Sequence, residues 1–419
     1  MAAAVFLVIG WETLYLVPNV SLYLFFLASS LYLLTIAVAA TRHQASPSPV
    51  TTPRYRFCCL IPAHNEALLI KEVIKGFITV ERDGHQLDIV VIADNCNDDT
   101  AIIAEKAGAR VIRRLDPSRR GKGYALEWAV KRLENEKAGY DAYIVMDADS
   151  FLSPNYLSVM ARELAAGHTV IQCNYQVLNS LASWRTRLMT CALTLVHYTK
   201  PLGRSRLGLS DGLKGNGMCF TADILKEIPW SGSSITEDID YTIRLCAAGK
   251  AVAFTPDAWV KAQMPATAME SASQRRRWES GRFSLMARHA MPMLRKGIRD
   301  RNGILVDRAI DLIIPPFSEM LAAPLIMAVA NAILGIWLKI TVAKWMAIIW
   351  GSVLLVQIVY LVIGLKVGKV QWPIWSALLF APIYVVWKFA LYLTIFLSKS
   401  VTGWQRTERR PLETKDPTL

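Results

Sequence analysis

The chain has 419 residues, of which 53% are hydrophobic, and a formal net charge of +13. Its seven cysteines include no CxxC pair, and the sequence has no ladder of His or Cys at zinc spacing. This pattern argues against a disulfide framework and a zinc module, and it favours reduced, mostly structural thiols in a reducing compartment.

Four apolar runs are long enough to cross a membrane, because about 20 apolar residues span a hydrocarbon core. The predicted spans are Pro18–Ala40, Met320–Leu338, Trp345–Leu365 and Trp372–Leu397, the last interrupted by Lys388. Residues 2–17 carry Glu12 and remain open between a second span, a re-entrant piece and an interfacial helix. No basic segment precedes the apolar stretch, so we expect no cleaved signal peptide.

Basic residues at Arg42, Arg54 and Arg56 follow the first predicted span. The positive-inside rule therefore places the region between the first two spans in the cytoplasm. We expect an integral membrane protein of the bacterial inner or plasma membrane. The range 399–419 is also basic and predicts a cytoplasmic tail, yet three crossings after the cytoplasmic region would leave it outside, so the parity of the spans stays open.

The cytoplasmic region alternates short β-branched runs with helical patterns. Predicted strands are Phe57–Ala63, Leu87–Ala93, Arg110–Arg113, Ala142–Met146 and Thr169–Cys173, and helices begin near Glu66, Asp99, Tyr124 and Pro154. This alternation predicts an α/β fold with a mostly parallel, Rossmann-like sheet. The expected divisions are a membrane segment (1–45), a Pro-rich linker (46–54), the α/β domain (55–270), interfacial amphipathic helices (271–310), transmembrane helices (311–398) and a tail (399–419).

Two common nucleotide-binding signatures are missing. The Gly121-Lys122-Gly123 segment lacks the upstream glycine and the Ser or Thr of a P-loop, and no GxGxxG follows the first strand. The sequence therefore gives no support to an NTPase or a nicotinamide dehydrogenase.

Polar clusters follow three of the predicted strands, at His64-Asn65-Glu66, Asp94 and Asp147-Ala148-Asp149. Carboxyl ends of parallel strands share one edge, so we expect these clusters to converge there. Asp147 and Asp149 can hold Mg²⁺ or Mn²⁺ that bridges phosphate oxygens, although an Asx turn before Pro154 explains them equally well when they are taken alone. Asp94 and its polar loop suit a base or ribose.

Three further features have a functional and a structural interpretation. Lys122 can reach a diphosphate or remain a solvated lysine. Glu237 and Asp238 begin a helical pattern, where they can cap the helix or remove a proton from a hydroxyl group. The Gln274–Trp278 segment opens a strongly basic range that extends to Arg301. It suits a leaving diphosphate and a sugar ring, or a helix that faces anionic lipid.

Seven segments, in this order and spacing, resemble the family 2 membrane glycosyltransferases that include cellulose, chitin and hyaluronan synthases. They are LIPAHNEA, VIADNCNDDT, RRGKGYAL, IVMDADS, LKGNGMCF, TEDIDYTIRL and QRRRW. The resemblance covers roughly residues 55–285 and implies a GT-A fold. It also implies a nucleotide-diphosphate-sugar donor, expected to be a UDP-sugar, and an acceptor that is a glycan or is lipid-linked.

The resemblance implies a role for each matching residue. Donor-binding residues would be Pro62, His64, Glu66, Asp94, Lys122, Asp147, Gln274 and Arg277; metal ligands Asp147 and Asp149; catalytic residues Asp238, as general base, and Glu237; and acceptor-binding residues Gly217, Met218, Cys219 and Trp278. The implied reaction is a one-step displacement with inversion at the anomeric carbon.

The C-terminal membrane part is short for a polymer synthase. A single-sugar transferase in exopolysaccharide synthesis and a processive synthase that extrudes its polymer therefore both stay open, with polysaccharide-export partners possible and no nucleic-acid partner expected. A catalytically inactive scaffold would have damaged carboxylates, and a nucleotidyltransferase would leave the TED and QRRRW segments without a role.

Overall fold

The computed structural model describes residues 2–42, 52–232, 234 and 236–397. Most of the predicted linker and the whole predicted tail lie outside these residues. Eight strands form one sheet: β1 (Arg56–Ala63), β2 (Gln86–Asp94), β3 (Arg110–Arg114), β4 (Ala142–Val145), β5 (Ser150–Leu152), β6 (Val170–Val177), β7 (Met218–Thr221) and β8 (Ala253–Ala262). Their order across the sheet is β3-β2-β1-β4-β7-β6-β8-β5.

The sheet is mostly parallel, as the sequence predicts. β1 pairs in parallel with β2 and β4, β2 with β3, and β6 with β8. The short strands β7 and β5 run antiparallel to their neighbours. The first strand, RFCCLIPA, is apolar along nearly its whole length because both faces of the sheet are covered.

Helices cover the two faces of the sheet and form two cores. The helices of the domain are α2 (Ile70–Ile78), α3 (Thr100–Lys106), α4 (Lys122–Asn135), α5 (Tyr156–Ala165), α6 (Trp184–Thr194), α7 (Lys200–Arg206), α8 (Ala222–Glu227) and α9 (Glu237–Ala247). Phe57, Cys59 and Ile61 of β1 pack with α2 and α5, whereas Cys58 and Leu60 face α4 and α9. The period-2 alternation of a strand thus divides one sequence between two cores.

The apolar helices flank this domain in sequence. They are α1 (Ala2–Ala40), α12 (Phe317–Trp337), α13 (Thr341–Val367), α14 (Trp372–Trp375) and α15 (Ala381–Leu397). The first is one continuous helix of 39 residues, so the range 2–17 belongs to the same element as the predicted span. A 3₁₀ turn at Ser376–Phe380 divides the last predicted span. By length and composition, four described segments can cross a membrane: Thr13–Ala40, Phe317–Trp337, Thr341–Val367 and Trp372–Tyr392.

Two long helices connect the domain to the C-terminal spans, namely α10 (Ala268–Arg299) and α11 (Gly303–Ile313). A π-helical turn at Leu195–Thr199 joins α6 to α7, and this segment docks on the membrane helices. Gly203 lies so close to α1 that an added Cβ would stand 2.0 Å from the carbonyl oxygen of Ile36. The Thr199 hydroxyl donates to the carbonyl of Gly364 in α13 at 2.8 Å.

Candidate active site

A cavity of about 880 Å³ opens at the carboxyl ends of the parallel strands. It brings together predicted residues from all along the domain and from α10. The predicted residues that line it are Pro62, His64, Glu66, Asp94, Lys122, Asp147, Asp149, Glu237, Asp238, Gln274, Arg277 and Trp278. Strand order explains this convergence, because β1, β2 and β4 end at one edge of the sheet.

Asp94 is held by an arginine that the sequence interpretation did not single out. Arg114, at the end of β3, pairs with Asp94 Oδ1 at 2.6 Å and with Asp116 at 3.0 Å. The Asp94 and Arg114 side chains are both buried, and His64 Nδ1 donates to the Asp94 carbonyl at 2.7 Å. The parallel register of β2 and β3 sets Asp94 opposite Arg114. This register cannot be read from the sequence alone, so the ion pair was not predicted.

The turn that carries Asp147 and Asp149 is tied to a second turn by a buried amide network. The Asp147 backbone N–H donates to Asn216 Oδ1 at 3.1 Å, and Asn216 Nδ2 donates to Ser150 Oγ at 2.8 Å. Gln172 Nε2 donates in turn to the Asn216 carbonyl at 2.8 Å. Gln172 and Asn216 are fully buried. Two features of the sequence could have indicated this network: an amide residue within an apolar strand, and the Gly-Asn-Gly turn that contains Asn216.

Lys122 contacts both sides of the cavity. Its Nζ forms a close ion pair with Asp147 and donates to the carbonyl of Gly215. Burial lowers the pKa of Lys122, but the carboxylates of Asp147 and Glu237 outweigh that effect and the pKa is raised. Lys122 is therefore a fixed positive charge at the point where the strand-end carboxylates meet α9.

Glu237 and Asp238 lie side by side at the N-terminus of α9. Burial and the Asp238 charge raise the pKa of Glu237, and Lys122 opposes this shift. Burial likewise raises the pKa of Asp238. The Ile239 N–H donates a hydrogen bond to Asp238 Oδ1 at 2.8 Å and lowers the pKa in part. Ionising both of two adjacent carboxyl groups in a low-dielectric site costs free energy, because the two negative charges repel each other. This pair is therefore suited to accepting a proton.

The QRRRW segment lies in the first turns of α10, and its residues divide into two stripes. Gln274, Arg277 and Trp278 line the cavity, and Gly281 on the same stripe packs closely against Thr236. This spacing of three and four residues is the repeat of one helix face. Arg275 lies on the next stripe, with its guanidinium 5.4 Å from the centroid of the Trp278 ring.

The expected acceptor contacts of three residues need correction. Met218 and Cys219 belong to β7, and their side chains are fully buried in the two cores of the sheet. Gly217 has no room for a side chain, since an added Cβ would lie 2.4 Å from Cys173 Sγ. The cavity is lined instead by Lys214 and Gly215, just before them in the chain.

The same cavity extends from the carboxylates into the apolar helices. Its lining there comes from α1, α6, α12, α13 and α15, and includes Leu33, Leu188, Phe317, Leu321, Leu361 and Val385. His197, in the π-helical turn, also lines it and stacks on Tyr175 at a centroid distance of 5.1 Å. Sequence reasoning missed this part of the cavity because its residues come from five separate helices.

Known proteins are similar in sequence to part of this chain. A probable glycosyltransferase of Bacillus subtilis, YdaM, is 25% identical over 235 residues, which cover 53% of this chain and 54% of that protein. A beta-monoglucosyldiacylglycerol synthase of Synechocystis sp. is 24% identical over 255 residues, 58% of this chain and 52% of that protein. The chain thus spans about half the length of the curated relatives it matches.

Among solved structures, a mannosyltransferase from Pyrobaculum calidifontis in complex with GDP-Man and Mn²⁺ is similar in fold, with a TM-score of 0.53 at 16% identity. The alignment covers 84% of this chain and 98% of that one. The family profile described as "Glycosyltransferase like family 2" matches residues 53–281, more than half of the sequence. The chain therefore belongs to glycosyltransferase family 2, and its mostly parallel sheet is that of a GT-A fold joined to long apolar helices.

Proposed function

We propose that the protein transfers a sugar from a nucleoside-diphosphate sugar to a hydroxyl group of a membrane lipid. One observation carries this proposal: a single cavity joins the strand-end carboxylates to the apolar lining of α1, α12, α13 and α15. An amphiphilic acceptor can place its hydroxyl group beside Asp238 while its acyl chain stays among these helices. The diacylglycerol named for the Synechocystis relative is an acceptor of this chemistry.

The donor would bind along the sheet edge. Asp94, fixed by Arg114, suits the ribose or base, and Asp147, Asp149, Lys122 and Arg277 line the cavity where the diphosphate would bind. Arginine and lysine at a departing diphosphate stabilise the charge that develops as the bond to the sugar breaks.

The donor set for a divalent cation is two carboxylates, Asp147 and Asp149. Among the described residues, no group of three or more His, Cys, Asp or Glu side chains gathers at a metal-binding distance. Mg²⁺ and Mn²⁺ nevertheless fit, since these ions take one or two carboxylates and complete their shell with substrate phosphates. When bound, such an ion would neutralise charge on the leaving diphosphate.

Asp238 would act as the general base. It takes the proton of the acceptor hydroxyl while that oxygen attacks the anomeric carbon on the face opposite the diphosphate. The carbon–oxygen bond to the diphosphate breaks in the same step, and the nucleoside diphosphate departs with the bonding electron pair. The raised pKa of Asp238 suits a group that must hold a proton in a buried site.

The test is a donor screen on purified protein in nanodiscs made from total bacterial lipid. We expect one class of radiolabelled sugar nucleotide to release nucleoside diphosphate and to label the chloroform-extractable fraction. A water-soluble polymer ladder would instead select the processive synthase. Release of pyrophosphate would select a nucleotidyltransferase, and the absence of both binding and transfer for every donor would leave only the inactive scaffold.

Asp238→Asn tests the base. We expect the transfer rate to fall by about 10²–10⁴-fold, because the amide cannot take the proton, while donor affinity measured by calorimetry stays nearly unchanged. Asp240→Asn is the matched control, since this residue lies on the same helix but outside the cavity lining. Transfer that survives Asp238→Asn would remove Asp238 from the mechanism.

A further inference from the structure

Positive charge on buried and partly buried side chains is concentrated where the cavity passes from Asp238 to the apolar helices. Five basic side chains line this part: Lys200, Lys214, Arg275, Arg282 and Arg308. We call these five residues the basic cluster. They come from α7, the loop before β7, α10 and α11, so tertiary packing alone assembles them.

Fewer carboxylates form ion pairs with the basic cluster than it has cations, and Glu279, between Arg275 and Arg282 on α10, pairs with Lys388 instead. Lys200 and Arg308 share Asp307 and Asp311 with a third cation, Arg204, at distances from 2.6 to 3.6 Å. Lys214 pairs with Asp211 at 3.2 Å. The basic cluster and Arg204 together make six cations. Four of these cations pair with only three carboxylates, which are Asp211, Asp307 and Asp311.

The remaining two cations have no acidic partner among the residues that the structure describes. In the described part of the chain, no carboxylate pairs with Arg275 or Arg282: Arg275 contacts Met189 and the Tyr384 ring, and Arg282 donates to two backbone carbonyls of α11 and its C-cap. Both arginines lie on the stripe of α10 beside the one that carries Gln274 and Trp278. Cations that are partly removed from water and have no counter-charge are destabilising, and a ligand anion would offset this cost.

The electrostatics of two nearby groups agree with an unbalanced positive potential. The pKa of His197 is lowered to about 3, chiefly by burial, with the charges of Lys214, Lys200 and Arg275 acting in the same direction. Burial also lowers the pKa of Lys200 to about 8, with Arg204 and Lys214 acting in the same direction against Asp311.

We propose that the acceptor lipid carries a phosphate group, which the basic cluster binds between α7, α10 and α11. This inference rests on the proposed function and narrows its acceptor class. The donor diphosphate is expected at Asp147 and Arg277, on the strand side of α10. A donor in this position would not occupy Arg275, Arg282 or Arg308, so these arginines can bind a second anion. Arginine is suited to this role because its planar fork binds phosphate oxygens in pairs.

The experiment measures equilibrium binding of two short-chain lipids to the detergent-solubilised full chain, without donor. Phosphatidic acid has the phosphate and diacylglycerol lacks it. We expect phosphatidic acid to bind at least about tenfold more tightly, as charge-assisted hydrogen bonds to a buried phosphate predict. Equal affinity for the two lipids would overturn the proposal.

Variants of α10 separate the cavity from the membrane surface. Arg275→Gln should reduce the preference for phosphatidic acid by about tenfold, and Arg275→Lys, which keeps the charge, should retain most of it. Arg288→Gln is the matched control, because Arg288 is exposed on the same helix and outside the cavity lining. An equal loss in Arg288→Gln would show that surface charge explains the preference, and the basic cluster would have no ligand.

Inorganic phosphate and the donor screen complete the design. Inorganic phosphate that binds as tightly as phosphatidic acid would overturn the assignment of the anion to a lipid. Lipid labelling in nanodiscs combined with equal affinity for the two short-chain lipids would refute this inference alone. Preferential binding of phosphatidic acid without any labelled lipid would support the phosphate site and refute the proposed transfer.

Discussion

At the scale of single residues, the site depends on charges that compensate one another across elements. Lys122 stands between Asp147, Glu237 and Asp238, and its charge lowers the pKa of both α9 carboxyl groups, which burial raises. A base works only when it is deprotonated. Activity should therefore rise with pH as the raised pKa of the carboxyl pair is passed.

The pH profile of transfer tests this arrangement. Lys122→Met removes a positive charge that lowers both pKa values, so the acid limb of kcat/KM should move to higher pH. Glu237→Gln removes a neighbouring negative charge, and the acid limb should move to lower pH. Each profile is normalised to its own maximum, because Lys122 also faces the donor.

Lys131→Met is the control for these profiles. Lys131 lies on the same helix α4, is exposed, and pairs only with Glu127 among the described residues. The acid limb of the kcat/KM profile of Lys131→Met should coincide with that of the unmodified protein. Shifts of the same sign in Lys122→Met and Glu237→Gln would contradict the electrostatic coupling described here.

At the scale of elements, the domain is held to the membrane helices by close backbone contacts at small residues. Gly203 of α7 meets Ile36 of α1, and an added Cβ at Gly364 of α13 would lie 2.3 Å from Leu195 Cδ2. Small residues let helices approach closely where lipid offers no hydrophobic driving force. The π-helical turn at Leu195–Thr199 makes the second of these contacts through Leu195, and its His197 lines the cavity.

Gly203→Ala should push α7 away from α1. The new Cβ meets a backbone carbonyl that cannot rotate away, so we expect a loss of about 1–3 kcal/mol, seen as a lower midpoint of thermal unfolding in detergent. Gly351→Ala, in α13 with nothing within 4 Å of the added Cβ, is the control. It should leave the midpoint unchanged or raise it slightly, because alanine favours a helix. Equal midpoints for the two variants would refute the close contact.

At the scale of the whole molecule, the packing of α15 bears on the number of crossings. Lys388 of α15 pairs with Glu279 of α10 at 2.7 Å and with Glu319, in the first turn of α12, at 2.9 Å. Further along α15, Thr394 accepts a hydrogen bond from Arg276 of α10 at 2.8 Å. Before α15, Phe380 stacks on Trp184 of α6.

Both ends of α15 therefore contact α6 or α10, and these two helices pack against the α/β domain. A crossing helix would carry its far end roughly 20 Å away over the same number of residues. We expect α15 to lie in the interface beside α10, with α1, α12 and α13 as the crossings. This arrangement removes the conflict between the basic range 399–419 and an odd number of C-terminal spans.

Cysteine labelling in inside-out and right-side-out vesicles checks this topology. Thr394→Cys should react with a membrane-impermeant maleimide from the same side as Arg119→Cys in the α/β domain. Lys339→Cys, between α12 and α13, should react only from the other side. Reaction of Thr394→Cys together with Lys339→Cys would establish α15 as a fourth crossing.

The sequence by itself determined the α/β alternation, the convergence of Asp94, Asp147 and Asp149, and the apolar helices. These features are local, because each depends on a short stretch of chain. They are the period of the hydrophobic residues, the position of a residue at the end of a strand, and the length of an apolar run. The predicted span Met320–Leu338 differs from the observed α12 by only a few residues, whereas α1 begins at Ala2 rather than at the predicted Pro18.

The tertiary structure decided the features that depend on packing between distant segments. It buried Met218 and Cys219 in the sheet, paired Asp94 with Arg114, and locked the Asp147 turn through Asn216. It also built the basic cluster from four elements and turned α15 towards α10. None of these can be predicted from local pattern, because each depends on which strand neighbours which and on how closely two helices approach.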